Sequence, residues 1–170
     1  MNSTLKEPTP AGLADLTAQD LTLLLVGAVE DDDDVGGSIF SQSRWQASRA
    51  NSCRQALPLI RQDLHPVVVS ERDLPDGDWK DVLELASVRK EPPVVIVTSR
   101  LADDYLWAEV LNLGGYDVLA KPFDRNEVHR TISLAWQHWK NRCEMLHNSR
   151  GSESEDQYVY ELGRRTETRR

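Results

Sequence analysis

Three polar side chains follow apolar segments of the sequence, at points where strands of a sheet would end. Glu71 follows the third such segment, Thr98 the fourth and Lys121 the fifth. Because ligands and chemistry gather at the carboxyl ends of parallel strands, we expect these three residues to lie close together. The Glu71 carboxylate can then pair with the Lys121 ammonium and accept a hydrogen bond from the Thr98 hydroxyl.

The elements that must hold these residues alternate between strands and helices. Four short apolar or β-branched segments are typical of strands, Leu21–Val26, His65–Val69, Pro93–Val97 and Tyr116–Leu119, and a weaker strand is expected to begin at Trp45, second in the chain. Segments with helical spacing of apolar residues lie between them, and Gly114-Gly115 is expected to end the fourth helix. This alternation predicts an α/β protein with a five-stranded parallel sheet and helices on both faces.

The last helix is expected to be longer than the domain requires. Its apolar pattern runs from about residue 126 to 147, which corresponds to roughly 33 Å of helix. We predict an interaction surface, for a second copy or another protein, on one side of this helix: Trp136, Trp139, Cys143 and Leu146. We expect residues 1–19 to form a flexible leader, 20–147 the domain and 148–170 a disordered tail.

Composition limits the classes of protein that the chain can represent. Its 170 residues are 39% hydrophobic and 28% charged, which is typical of a soluble globular domain. The net charge of -8 argues against nucleic-acid binding, and no apolar run approaches the roughly 20 residues that span a membrane. Cys53 and Cys143 lie far apart, and the four histidines are scattered, so we predict no metal site and a reducing, cytoplasmic setting.

Three motifs at fixed separations resemble those of a known family. Leu74-Pro75-Asp76-Gly77-Asp78 follows the third strand, Val97-Thr98 ends the fourth, and Lys121-Pro122-Phe123 follows the fifth. Together they make roughly residues 21–140 similar to the receiver domains of response regulators, the CheY-like superfamily. The resemblance implies a flavodoxin-like, doubly wound sheet with strand order 2-1-3-4-5. It also implies a role in two-component (phosphorelay) signalling, with a histidine kinase or a downstream regulator as partner.

The chain departs from this family at two places that matter for phosphorylation. In the family the phosphate-accepting aspartate lies four residues before the turn proline, where this chain has Glu71. Two acidic residues after the first strand help to hold Mg²⁺, and Gly27 and Ala28 stand there. Mg²⁺ binding is therefore disfavoured, and we expect no cofactor.

The rest of the family's site is kept in part. Thr98 and Lys121 match the pair that contacts the phosphoryl group, while Val118 stands where a mobile aromatic residue is usual. Tyr116 has the same alternation as Val118 and is expected to face a similar side. The resemblance and the departures together predict a degenerate receiver, or pseudo-receiver, that has no catalytic residue and is not an enzyme. It would act as a phosphorylation-independent protein-interaction module, without an output domain on this chain.

Two alternatives stay open from the sequence. The first is a working phosphoacceptor receiver with a shifted acidic site, using Asp73 as acceptor or an acid of Glu30–Asp34 as metal ligand. The second is a flavodoxin-like binder of a small ligand, although Gly27, Gly36 and Gly37 do not form a phosphate-cradling loop after the first strand.

Overall fold

The predicted five-stranded parallel sheet is present and has the expected order. The computed structural model describes residues 21–29, 39–42, 45–62 and 64–167, and the side chains of these residues apart from 41–42 and 149–167. Its sheet comprises β1 (Thr22–Val26), β2 (Gln46–Ala50), β3 (Val67–Glu71), β6 (Val94–Ser99) and β7 (Asp117–Ala120). They lie in the order β2-β1-β3-β6-β7 and are parallel throughout. The predicted order 2-1-3-4-5 is confirmed, since the two remaining strands, β4 and β5, form a separate hairpin.

That hairpin is the Leu-Pro-Asp-Gly-Asp turn of the sequence. Its strands β4 (Asp73–Leu74) and β5 (Gly77–Asp78) pair antiparallel directly before α3. The described helices are α1 (Ile39–Gln42), α2 (Cys53–Gln62), α3 (Trp79–Ser87), α4 (Asp104–Leu113) and α5 (Arg125–Glu167). As expected, α4 ends at Gly114, whose φ of 97° is the left-handed cap conformation that glycine adopts without steric cost.

Helices cover both faces of the sheet, and an apolar core lies on each face. The first core joins β1 and β3 to α5 and includes Leu23, Val69 and Ile132. The second packs the opposite side of the same strands against α2 and α3, through Leu24, Val68 and Ala56. The central strands are almost continuously apolar because both of their faces are buried.

Two aspartates of the hairpin fix the helices beside it. Both carboxylate oxygens of Asp76 accept hydrogen bonds at the start of α2, from the backbone N–H groups of Cys53 (2.8 Å) and Arg54 (3.0 Å). Asp78 caps α3 in a reciprocal arrangement with Asp81. Asp76 and Asp78 are residue types that favour turns, and here they also satisfy backbone donors that a helix leaves unpaired.

The last helix differs from the prediction in length and in the face that it buries. Its backbone is continuous from Arg125 to Glu167, so the expected end near residue 147 and a disordered tail from 148 are not observed over this range. Trp139 and Cys143 are 4% and 2% exposed and belong to the core under α5. They therefore cannot form the predicted interaction surface. Trp136 is partly buried against the same core, and only Leu146 of the four is exposed, at 38%.

Some predictions concern residues outside the described ranges or differ from what those ranges show. The leader of residues 1–19 and the acidic run Glu30–Asp34 lie outside the described residues. Of the four scattered histidines, which are typical of surface residues in the sequence, His65 is instead buried and contacts the Ser48 hydroxyl through Nε2 at 3.0 Å. Within the described part of the chain, none of the helices is both long and apolar enough to cross a membrane.

Candidate functional site

Sheet register brings the three predicted site residues to one edge of the sheet. Glu71 is the last residue of β3 and is paired in register with Thr98 on the adjacent strand β6. Lys121 directly follows β7, whose last residue, Ala120, pairs with Ser99. The Lys121 backbone N–H donates to the Ser99 carbonyl at 3.0 Å, which extends this pairing by one residue. All three side chains therefore arise from neighbouring strand ends, as the sequence predicted.

The side chains of these residues contact one another directly. Lys121 Nζ lies 2.9 Å from Glu71 Oε1, and the Thr98 hydroxyl donates to Glu71 Oε2 at 2.6 Å. The Lys121 side chain is 4% exposed and that of Glu71 is 20% exposed. Charge-assisted hydrogen bonds of this kind are stronger than neutral ones, particularly where water is largely excluded. Both of the groups that the family uses to contact a phosphoryl group are thus bonded to a carboxylate of the protein itself.

A backbone carbonyl is a second hydrogen-bond acceptor for Lys121, whose ammonium also lies 5.6 Å from the centroid of the Phe123 ring. The Lys121 ammonium also donates to the Ala28 carbonyl at 2.5 Å. Ala28 follows Gly27, which has a φ of 88° and therefore lies in the region that favours glycine. We call Glu71, Thr98, Lys121 and the Ala28 carbonyl the Lys121 cluster. In the sequence, Gly27 and Ala28 indicate only a loss of acids, because no side chain signals the contribution of a backbone carbonyl.

The residues after the first strand do not fit the Mg²⁺ site that the family implies. Gly27 and Ala28 provide no carboxylate, and the Glu71 carboxylate is already bonded to Lys121 and Thr98. Among the residues that the structure describes, no group of three carboxylate, histidine or cysteine side chains is placed to hold a metal ion. Glu30–Asp34, the alternative source of a metal ligand, lies outside those residues.

Two shallow clefts flank the exposed side of Glu71. One, of about 410 Å³, is lined by residues of three loops: Gly27, Ala28, Asn51, Glu71, Asp73 and Pro75. The other, of about 240 Å³, lies between the loops after β3 and β6. Asp73, the alternative phosphate acceptor, borders both clefts, but its side chain is 88% exposed and its ion-pair partner is Arg72 at 3.9 Å. It does not contact Lys121 or Thr98 through any described hydrogen bond or ion pair.

The position expected for a mobile aromatic residue is occupied by a buried valine. Val118 is 9% exposed and packs in a third apolar cluster with Trp79, Leu106 and Val110, between α3 and α4. Tyr116 was expected to face a similar side, but it lies before β7 and packs against the core under α5, next to His138. Tyr116 therefore does not substitute for an aromatic side chain at 118.

Comparison with curated proteins gives a consistent set of relatives. Over 124 residues the chain is 31% identical to the regulatory protein AtoC of Escherichia coli (strain K12), covering 70% of this chain and 26% of AtoC. It is 28% identical over 116 residues to the two-component response regulator ARR12 of Arabidopsis thaliana, covering 65% and 19% respectively. The chain thus spans about a quarter or less of the length of these relatives. No family model matches the chain.

Solved structures share the fold at lower sequence identity. A signal receiver domain of an HD domain-containing protein from Pseudomonas fluorescens Pf-5 superposes with a TM-score of 0.65 at 24% identity, covering 77% of this chain and 96% of that one. The receiver domain of the Francisella response regulator 1452 gives 0.59 at 23%, covering 69% and 98%. The chain is thus similar in sequence to a regulatory protein and a two-component response regulator, and it shares the fold of solved receiver domains.

Proposed function

We propose that this receiver domain regulates by binding other signalling proteins without being phosphorylated, and that it is not an enzyme. The observation that carries the proposal is the contact of the Glu71 carboxylate with both Lys121 and Thr98. A phosphoryl group would need those two contacts to offset its charge during transfer. In this chain an internal carboxylate occupies them, so the domain holds one arrangement of the site without an external phosphate.

Charge and distance support a persistent contact. Two unit charges 2.9 Å apart attract by about 6 kcal/mol at an effective dielectric constant of 20, before the cost of removing them from water. Loss of the Glu71 carboxylate would leave the Lys121 ammonium, which is 4% exposed, without its only described carboxylate partner. We expect the contact to persist, because separating the pair while Lys121 stays buried would leave its charge without a carboxylate partner.

The partner that we propose is a protein of the same signalling system, either a histidine kinase or a downstream regulator. This follows from the relation of the chain to two-component regulators. A homodimer through α5 is a further proposal, and it now depends on Leu146 and the half-buried Trp136, since Trp139 and Cys143 lie in the core. We assign the domain to the cytoplasm because both cysteines are free thiols.

Mass spectrometry of the intact protein after incubation with acetyl phosphate and Mg²⁺ tests the proposal. We expect no addition of a phosphoryl group to the wild type. We expect the same for Glu71→Asp, since it restores the length of the usual acceptor but leaves Gly27 and Ala28 without carboxylates. A working receiver treated in parallel shows that the donor is active. A stable phosphoryl group on wild-type Glu71, or on Asp73, would refute the proposal and favour a working phosphoacceptor.

A second measurement addresses binding. The affinity for a cognate histidine kinase or downstream regulator, measured by titration calorimetry, should be the same with and without acetyl phosphate. A large change in affinity on adding the phosphodonor would contradict phosphorylation-independent binding.

A further inference from the structure

The geometry points to Gly27 as a positioning residue: its left-handed backbone holds the Ala28 carbonyl on the Lys121 ammonium, and a side chain at position 27 would open the Lys121 cluster. This inference rests on the proposed function and concerns the regulation of the same site. The turn after β1 lacks the acidic residues of the family, but under this inference it is a structural part of the Lys121 cluster. The conformation of that turn then decides whether solvent and reagents can reach the Lys121 ammonium.

Steric contacts at position 27 leave no room for a side chain. A Cβ atom there would lie 2.7 Å from Glu71 Cβ and 2.7 Å from Leu74 Cδ2. Real Cβ contacts are essentially never that short, so either β3 or the turn would have to move. The φ of 88° adds a second obstacle, because side-chain-bearing residues rarely adopt it. Shortening Glu71 to aspartate does not remove the first contact, since the Cβ atom remains.

The turn is also fixed to its neighbours on both sides. The Gly27 backbone N–H donates to the Ala50 carbonyl at 2.7 Å, which continues the pairing of β1 with β2. One residue later, the Ala28 carbonyl accepts from Lys121 Nζ at 2.5 Å. A lysine ammonium has three donor hydrogens, and Glu71 and Ala28 accept two of them. Displacement of the turn would therefore remove one of the two described charge-assisted bonds of a buried lysine.

Chemical accessibility of Lys121 measures this directly. The chain has five lysines, Lys6, Lys80, Lys90, Lys121 and Lys140, and peptide mapping after brief treatment with acetic anhydride gives the acetylation rate of each. Lys90 is exposed and serves as an internal standard. In the wild type we expect Lys121 to react far more slowly than Lys90. In Gly27→Ala we expect the ratio of Lys121 to Lys90 acetylation to rise about tenfold, the factor for one hydrogen bond to a charged group.

Gly114→Ala is the matched control. Gly114 also has a positive φ, of 97°, but a Cβ atom there would meet nothing within 4 Å. This variant has the strain of a positive φ but no steric contact with Glu71. It should therefore be less stable than the wild type, while the ratio of Lys121 to Lys90 acetylation stays at the wild-type value. Equal ratios of Lys121 to Lys90 acetylation in Gly27→Ala and Gly114→Ala would overturn the inference. Gly27 would then be only a turn residue with a positive φ.

A third variant keeps the inference testable if Gly27→Ala does not fold. In Glu71→Ala the Ala28 carbonyl still accepts from Lys121, so we expect the ratio to rise while Lys121 remains slower than Lys90. If Lys121 becomes as reactive as Lys90, the turn contributes nothing: the inference falls and the proposed function stands. If the ratio is unchanged in Glu71→Ala, the Glu71–Lys121 pair itself is refuted, and the proposed function falls with it.

Discussion

One methylene group separates Glu71 from the aspartate usual in receiver domains, and it places the carboxylate where it reaches two partners at once. Each oxygen has its own contact, Oε1 with Lys121 and Oε2 with the Thr98 hydroxyl. Because each carboxylate oxygen has a separate partner, the orientation of the Glu71 carboxylate is fixed more strongly than it would be by a single contact. The residue type at position 71 therefore decides which charge the lysine meets in the absence of phosphate.

Removal of the Glu71 side chain should destabilise the fold. In Glu71→Ala the buried Lys121 ammonium loses its carboxylate partner, and we expect a loss of about 2–3 kcal/mol in the free energy of unfolding, measured by urea denaturation at pH 7. This is somewhat below the roughly 3–5 kcal/mol typical of a broken, fully buried pair, because Glu71 is one-fifth exposed. Added acetate should restore part of the loss by occupying the vacated place. Asp73→Ala, at an 88% exposed side chain, is the control and should cost almost nothing.

Among the elements, the start of α2 depends on a residue from another segment. Hydrogen bonds from the backbone N–H of Arg54, and also of Cys53, hold the pKa of Asp76 below its ordinary value of 3.8. A lowered pKa means that the unfolded chain takes up the proton first as the pH falls. The stabilisation by Asp76 is therefore complete above its ordinary pKa and is lost as the pH falls through the lowered, folded-state value.

The prediction for this cap is a pH-dependent difference between two proteins. Asp76→Ala should unfold at a lower urea concentration than the wild type at pH 7, because α2 loses both capping bonds. The difference should shrink as the pH falls below 3.8 and vanish once Asp76 is protonated in the folded protein. Asp73→Ala, in the same hairpin, should follow the wild-type curve throughout. A difference that is independent of pH would show that the charge of Asp76 does not act at the helix start.

Along α5, the two possible roles of its aromatic residues can be separated by mutation. Trp139 is 4% exposed and fills the core under the helix, so Trp139→Ala should cost about 3–5 kcal/mol in the free energy of unfolding. Leu134, on the same helix, is 48% exposed, and Leu134→Ala should change it by less than about 0.5 kcal/mol. Thermal or urea unfolding measures both. If Trp139→Ala were as stable as the wild type but changed the molecular mass measured by light scattering, the prediction that Trp139 lies in an interaction surface would be right.

The spacing of apolar residues predicted most of the strands and helices. It could not show which residues along the apolar face of α5 are buried in the core. Most of the strand segments were predicted from short apolar runs rich in β-branched residues, whereas the strand order was predicted from the family resemblance. On α5 the apolar spacing correctly indicated a single face, but burial depends on where the sheet ends beneath the helix. Trp139 and Cys143 belong to the core under α5, whereas Leu146 is 38% exposed. The continuation to Glu167 was missed because that segment is polar and includes Gly151 and Gly163.

At the scale of the whole molecule, two cores share the same central strands. Cys53 lies in the core beneath α2 and α3, and Cys143 lies in the core beneath α5. Burial, with the nearby charges of Asp76 and Asp81, raises the pKa of Cys53 to about 11, and burial also raises the pKa of Cys143. Each thiol therefore reports on the opening of its own side of the sheet, since a buried neutral thiol is a poor nucleophile.

We expect both thiols to react with a disulfide reagent at the same rate in native conditions at pH 8. Strands β1 and β3 belong to both cores, so neither layer can open widely without the other. The rate should be at least about a thousandfold below that in urea, since labelling requires unfolding. Peptide mapping of the labelled protein separates the two sites. Much faster labelling of Cys143 alone would show that α5 detaches independently of the sheet.

The sequence predicted the site residues that act through their side chains, but it did not predict the residue that acts through its backbone carbonyl. Glu71, Thr98 and Lys121 were found because each follows an apolar strand, and strand ends converge in a parallel sheet. The Ala28 carbonyl was not found, because its direction depends on the φ of Gly27, and a glycine in sequence fits many backbone conformations. The same holds for Asp76, whose capping role depends on how closely the hairpin approaches α2.

The turn at Gly27 also bears on how such a site changes over generations. An aspartate introduced at position 27 alone would meet Glu71 and Leu74, and an aspartate introduced at position 71 alone would find no acidic pair beside it. We therefore expect neither single substitution to create a metal site. If the proposed function is right, a working metal site would require changes at positions 27, 28 and 71 together, including a new path for the turn. The contact of Gly27 with Glu71 thus makes the residue types tolerated at positions 27 and 71 depend on each other.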